Sequence, residues 1–421
     1  MSQQLQSIFF ILFLIFLPSP SFGEETMDSN VLTLKDALGR AYDNSPQMII
    51  ARKSIDSARG DLITAKTLAN PELEFEIGGL KKNEEGERRT NLDTAAIKQG
   101  FDPPGVYWLK NKIAQNEVKI GEESLKAVWS AVYSDVREVY AKIILDKKEL
   151  ELTSNNLDTM RQFFGNVQIR FQSGQALKND LQRAKIELFK AENEYLVVEK
   201  EFKTDKARLN LLLGQDWDAG FDINEELKEE NLKFGFKELA DIAFAKRADL
   251  KIENLTLDSM NKNLRKEELS RLPSFALGFQ KVNEDYEKDY AAVIEVSVPF
   301  WNLNQGEVKK AKAEQTVQKA KVESVKREAV FDVYQAYLNA ELSKKQLDLF
   351  KQSLEEAGEL FRLAALRYKE GEVDFLNYLD QVRTAKEAGF RYYEGLFNLS
   401  KAISALEKAI YASLREEEFL K

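Results

Sequence analysis

Residues 125–171 and 322–368 carry one apolar seam twice, offset throughout by 197 positions. The first copy reads Leu125, Val128, Val132, Val136, Val139, Ile143, Asp146, Leu150, Thr153, Leu157, Met160, Phe164, Val167, Phe171. The second reads Val322, Val325, Ala329, Val333, Ala336, Ala340, Ser343, Leu347, Phe350, Leu354, Ala357, Phe361, Ala364, Tyr368. Steps of three and four keep one stripe of a helix facing a partner. Both copies turn polar at the same step, Asp146 and Ser343. Both then reach a matching break, at Arg170 to Gly174 and Arg367 to Gly371. A chain that repeats a very long helix and its turn is two copies of one hairpin.

The composition suits long solvated helices: 31% charged residues, with only 8 Pro and 20 Gly. A net charge of −9 and no Lys/Arg cluster argue against a nucleic-acid partner. The chain has no Cys and no His, which removes thiol and imidazole catalysis, their metal sites, and disulfides. A nucleophile elbow, a phosphate loop and an acidic metal cluster are also missing. No enzyme activity and no cofactor are expected.

Residues 1–23 carry no charged side chain, and an apolar run extends from Ile8 to Leu17. Pro18 and Pro20 break that run, and Ser21 and Gly23 offer small residues to a signal peptidase. Ten apolar residues are too few to span a bilayer. Export after cleavage is the expectation, with a retained anchor as the alternative.

Each half then repeats one order. A helical pattern opens at Leu32 with Thr33 as cap and Asp36 behind it, is broken or kinked by Pro46, and stops at Pro71. Glu72, Glu74 and Glu76 alternate with Leu73, Phe75 and Ile77, the period of a strand with one charged and one apolar face. A charged linker and a second strand over about 92–99 complete a hairpin at about 72–100. The first long helix, 106–171, spans on the order of 100 Å. A return helix covers 177–213, and an irregular equatorial segment covers 214–237. The first repeat is thus 24–213 and the second 238–412. The second holds a helix over 238–271, a hairpin at about 274–298 with a polar turn at 283–289, a long helix over 305–369 and a return helix over 373–412. A charged tail, 413–421, follows.

Four short strands cannot close a barrel of useful width. They form either a soluble sheet or part of a barrel pooled among several chains, because open edges cannot face lipid. In the second case Phe275, Leu277 and Phe279 face lipid, and Ser274, Gly278 and Gln280 face a lumen. Phe101, Tyr107, Trp108, Phe300 and Trp301 gather where strands meet long helices, as an interfacial girdle or as corner packing. The seam alone would also suit a plain coiled coil, but two hairpins and an export signal argue against a cytoplasmic filament.

At this point the chain resembles the TolC-like family of outer-membrane efflux channels over about residues 31–412. The residues that carry the resemblance are Leu32 to Leu38 with Asn44, Ser45 and Pro46, both strand pairs, Val298 to Gly306, and Arg367 to Gly371 followed by Val373 to Asp380. The segment from Val298 to Gly306 looks like the strand-to-helix turn of the branch exporting heavy-metal cations. The resemblance implies a mainly α fold with a small β part. It also implies a homotrimer whose 12-stranded transmembrane β-barrel stands on a 12-helix periplasmic α-barrel. Its implied partners are outer-membrane lipid, a periplasmic adaptor protein and an inner-membrane efflux transporter. It implies a periplasmic aperture at Asp380, with Leu376 adding an apolar constriction, and a cation-friendly ring if Asp380 faces the axis; otherwise Asp380 is a solvated helix residue. Docking tips would fall at Arg170, Ser173, Gly174, Arg367, Glu370 and Gly371, where the glycines are also simple turn formers. The implied function is a passive outer-membrane export duct of a tripartite pump for ions or small molecules, with metal cations or drugs as the candidate cargo. The alternative is a periplasmic coiled-coil scaffold or adaptor without a pore.

Overall fold

The computed structural model describes residues 31–77, 81–82, 88–89, 92–284, 287–370, 372–373 and 375–415. Two helices, α1 (Leu34–Asn44) and α2 (Pro46–Lys66), lead into β1 (Glu72–Ile77). A two-residue ladder, β2 (Lys81–Lys82) with β3 (Arg88–Arg89), precedes β4 (Leu92–Phe101). Then come α3 (Val106–Gln172) and α4 (Lys178–Leu212). The second half follows with α5 (Phe236–Lys246), α6 (Ala248–Leu269), β5 (Ser274–Glu284), β6 (Glu287–Ser297), α7 (Gln305–Glu370) and α8 (Phe375–Ile410). Among the described residues, no helix is long and apolar enough to cross a membrane.

Four expectations need correction. The helix expected over 238–271 is two helices that break at Arg247 (φ −54°, ψ 120°), as Ser45 (φ −57°, ψ 130°) breaks the first copy. Pro46 explains the first break, because it disfavours helical backbone at Ser45 and supplies no amide. No proline marks the second. There Arg247 holds the bend, donating from Nη2 to Asp249 at 2.6 Å and Asp332 at 3.1 Å, and from Nη1 to the Ala409 carbonyl at 3.2 Å. The repeated unit therefore opens with two helices, not one. The polar stretch 283–289 is mostly strand, with Asn283 paired to Lys288 and Glu284 to Glu287. The first linker carries the short β2–β3 ladder. The expected tail folds back in part: Arg415 contacts Glu407 and donates to Glu230 at 2.6 and 2.8 Å, which ties the end of α8 to the equatorial segment. Residues 1–23 and 416–421, with the calls made on them, lie outside the described residues.

Adjacent packing gives the architecture. Helix α3 packs on α2 and α4 on one side and on α6 and α8 on the other; α7 packs on α6 and α8 beyond them. The helices thus form one layer with α2 and α4 at one edge and α7 at the other. The sheet runs in the same order, β1-β4-β5-β6, antiparallel throughout. Its two edges continue the two edges of the helical layer.

The main core surrounds α3 at the equator. Val132, Val136, Tyr140 and Ile143 bury against Ala37, Ala41 and Met48, against Leu209 of α4 and Leu213 just past its end, and against Phe221 and Ile223. The Tyr140 hydroxyl donates to the Leu32 carbonyl at 2.9 Å, so the strap before α1 is tied to this core. A second cluster joins Leu239 and Ala243 to Val333, Ala336 and Ala340 of α7 and to Leu406 and Ile410 of α8.

Candidate functional site

Register places every second residue of the sheet on one face. One face holds Leu73 and Phe75 (β1), Ala95, Ile97 and Phe101 with Gln99 among them (β4), Phe275, Leu277 and Phe279 with Lys281 beyond (β5), and Ala292, Ile294 and Val296 (β6). Its large side chains stand in the open, with Phe279 73% and Ile294 72% exposed. A protein in water rarely leaves a continuous apolar patch of this kind uncovered.

The opposite face holds Glu72, Glu74, Glu76, Thr94, Lys98, Ser274, Gln280, Asp289, Glu295 and Ser297. Lys98 lies across it, with Nζ 2.7 Å from Glu74 on β1 and 3.2 Å from Glu295 on β6. To reach β6 it crosses β5 at Gly278, its register partner. A Cβ at Gly278 would stand 2.5 Å from the Ile97 carbonyl oxygen and 3.1 Å from Lys98 Cγ, so only glycine fits there. One lysine thereby spans all four strands. Sequence reading missed it, because Lys98 and Glu295 are paired by register and not by spacing.

The five aromatics divide into two roles at the junction. Phe101 stacks on Phe275 at 5.3 Å, and the Tyr107 hydroxyl donates to the Lys66 carbonyl at 2.8 Å. Both of these are corner packing. Trp108, Phe300 and Trp301 are exposed, Trp108 edge-on to Tyr107 at 6.0 Å and Trp301 95% exposed.

At the far end of the molecule both long helices end in a turn closed by a six-to-one hydrogen bond. Gly174 takes a left-handed φ of 75°, its amide donates to the Phe171 carbonyl, and the Gln175 amide reaches back to Arg170 at 2.7 Å. This six-to-one closure is the Schellman turn. Ser173 caps it from Oγ to the Arg170 carbonyl at 3.0 Å. In the second copy the Glu372 amide donates to the Arg367 carbonyl at 2.9 Å, the same closure. Arg170 and Glu370 are exposed there, and Arg367 sits 4.0 Å from Glu372. Gly371 and the side chain of Leu376 lie outside the described part of the structure.

Asp380 is exposed on α8, while its neighbour Leu379 is buried against Leu157, Met160 and Ala191. Successive helical residues point about 100° apart, so seating Leu379 turns Asp380 outward. Asp380 and the tip residue Arg170 line one cleft, together with Asp180, Arg183 and Arg383. Below it α8 is tied to α4 by contact between Arg383 and Glu187, and by Lys386 to Glu194 at 2.5 Å. Both links are charge pairs that sequence spacing does not reveal. Among the described residues, no group of three or more acidic side chains is placed to hold a metal ion.

Comparison with known proteins fits this geometry. The family model described as outer membrane efflux protein matches residues 37–215 and 239–410, the two repeats. The cobalt-zinc-cadmium resistance protein CzcC of Cupriavidus metallidurans is 20% identical over 400 residues, covering 93% of this chain and 92% of CzcC. Among solved structures, the Campylobacter jejuni CmeC outer membrane channel aligns with a TM-score of 0.78 at 14% identity, covering 90% of this chain and 85% of that one. The open state of the Neisseria gonorrhoeae MtrE outer membrane channel aligns with a TM-score of 0.75 at 18% identity, covering 91% and 90%. A mainly helical chain with a small sheet, matched by that model in both halves, belongs to the outer membrane efflux protein family: it is an outer-membrane efflux channel protein with a periplasmic helical part, and not an enzyme.

Proposed function

We propose that three copies of this chain form the outer-membrane duct of a tripartite efflux pump, through which solute passes without chemistry in the duct. The observation that carries this is the four-stranded sheet itself, which has one exposed apolar face and two open edges, β1 and β6. Unpaired edge amides cost several kcal/mol each in lipid, so such a sheet enters a membrane only when its edges are paired. Pairing β6 of one copy with β1 of the next supplies that closure and gives twelve strands, with the Lys98 face turned to the lumen. The same rotation brings α7 of one copy against α2 and α4 of the next. Both edges carry uncovered apolar side chains, Phe331 and Leu342 on α7 and Ile50, Ile186 and Phe189 on the other. A scaffold in water would leave all of this surface wet.

Within that trimer the exposed Trp108, Phe300 and Trp301 sit at the membrane interface, and residues 1–23 are removed on export. The two helix-end turns, with Arg170, Ser173, Gly174, Arg367, Glu370 and Gly371, offer the docking tips for a periplasmic adaptor that links the duct to an inner-membrane transporter. Asp380, in threefold repetition beside Leu376, forms a periplasmic aperture that favours cations. The similarity to a cobalt-zinc-cadmium resistance protein makes metal cations the favoured cargo.

Planar-bilayer recording tests the duct and its aperture together. The purified chain is expected to give cation-preferring channels, and Asp380→Ala to raise conductance and weaken that preference. Unaltered conductance and selectivity would remove Asp380 from the aperture, and no channels at all would remove the duct.

A further inference from the structure

The polar step in the first seam is not used by the transport reading. Asp146 sits near the middle of α3 and is fully buried (0% exposed). Its Oδ1 is contacted by the Lys142 ammonium, one turn earlier. Its Oδ2 is buried and meets no donor. A buried carboxylate oxygen without a donor is costly, and such groups call for an explanation. The neighbourhood supplies one. Asp205, on the facing α4, comes within hydrogen-bonding reach of the Asp146 carboxyl. Two carboxylates so placed repel each other, whereas one shared proton turns the same contact into a hydrogen bond.

We propose that Asp146 and Asp205 form a proton-sharing carboxyl pair that locks the α3–α4 coil in acid and loosens it as the surroundings become neutral to alkaline. The groups around the pair set the direction. Lys142 is the cation on α3, and Glu149 stands one turn on. Glu201 faces Glu149 from α4, and Glu394 does so from α8. On the equatorial side, Asp222 is held by Lys147 at 3.0 Å, and Lys206 donates to the Phe221 carbonyl. Both of these cations are therefore engaged away from the pair. Asp205, Glu149, Glu201 and Glu394 outnumber Lys142 around the Asp146 carboxyl, so the site favours a bound proton. Burial, with Asp205 adding to it, pushes the Asp146 carboxyl up to about 7 against the pull of Lys142. Burial raises Glu149 as well.

The sign of the effect follows. A carboxyl held above its unfolded value keeps its proton in the closed coil and releases it when the coil opens. The closed form therefore binds more protons between about 4 and 7, and its stability falls as pH rises through that window. Lys142, itself raised, stays protonated across this range and adds no slope. The second hairpin carries Ser343 at the same step and lacks the device.

Hydrogen–deuterium exchange of the full-length chain in detergent tests this, after correction for the intrinsic pH dependence of amide exchange. Opening of segment 140–150 is expected to be roughly 30-fold more frequent at about pH 8 than at about pH 5.5, the ratio for a closed-state value near 7. Segment 337–347 of the second hairpin is expected to show no such change. Asp146→Asn keeps the shape and should flatten the dependence, and Asp205→Asn, which leaves the buried position intact, should reduce it. A wild-type segment 140–150 that behaves like 337–347 overturns the proposal. So does an unchanged pH dependence in either folded variant.

Discussion

Helices α3 and α7 carry the same seam but occupy different places. α3 runs through the middle of the helical layer, between α2 and α4 on one side and α6 and α8 on the other. Its exposed large apolar residues, Trp108, Ile169 and Phe171, lie only near its ends. α7 is the edge of the layer and leaves Phe331, Leu338, Leu342 and Leu349 uncovered through its middle. The seam residues themselves follow this division. The first copy fills its core with Val136, Val139 and Ile143, where the second has Val333, Ala336 and Ala340. Duplication gives two equal hairpins, and their positions in the layer make one a core element and the other an exposed edge. A repeated sequence pattern thus fixes how a helix meets its own partner and leaves open what covers its back.

The most damaging way to sharpen this contrast is to exchange the size of matched seam residues. Ile143→Ala opens a cavity in a fully enclosed site and should cost about 2–5 kcal/mol. Ala340→Ile overfills its counterpart and should cost about 1–3 kcal/mol, since α7 can shift toward its open side. Denaturant unfolding followed by circular dichroism measures both, and equal losses would erase the distinction.

The two helix breaks come next. Arg247→Ala removes the cation that holds Asp249, Asp332 and the Ala409 carbonyl together, with a loss of about 1–3 kcal/mol because both carboxylates are partly solvated. Pro46→Ala lifts the local bar to helical backbone at Ser45 and touches no distant partner, and should cost less than about 1 kcal/mol. Thermal unfolding of the two variants checks the order, and a larger loss at Pro46 would reverse it.

The smallest expected effect on the folded chain is the most telling for α7. Phe331→Glu lies on the uncovered face and should change chain stability by no more than about 0.5 kcal/mol. It should nonetheless abolish assembly, visible as loss of a cross-linked trimer. A trimer that survives this substitution would move the interface elsewhere.

Much of the fold was readable along the chain, because its signals are local. Steps of three and four mark the long helices, alternating Glu and apolar residues mark β1, and Gly174 marks a turn that needs a left-handed residue. The break at Arg247 was not readable, since nothing near it forbids a helix; its partners Asp332 and Ala409 lie far along the chain. The same holds for the candidate site. Asp380, Arg170 and the exposed aromatics were named from sequence, but the Lys98 bridge and the tie between Arg383 and Glu187 join residues almost two hundred positions apart.

The sequence by itself determined the duplicated helical hairpins, the two strand pairs and the lack of thiol and imidazole chemistry, since periodicity and residue type act over a few neighbours. Tertiary structure alone decided which hairpin became core and which became edge, which way Asp380 turns, and that the sheet ends in two open strands. Those outcomes depend on how side chains from distant segments share space, and no local pattern encodes that.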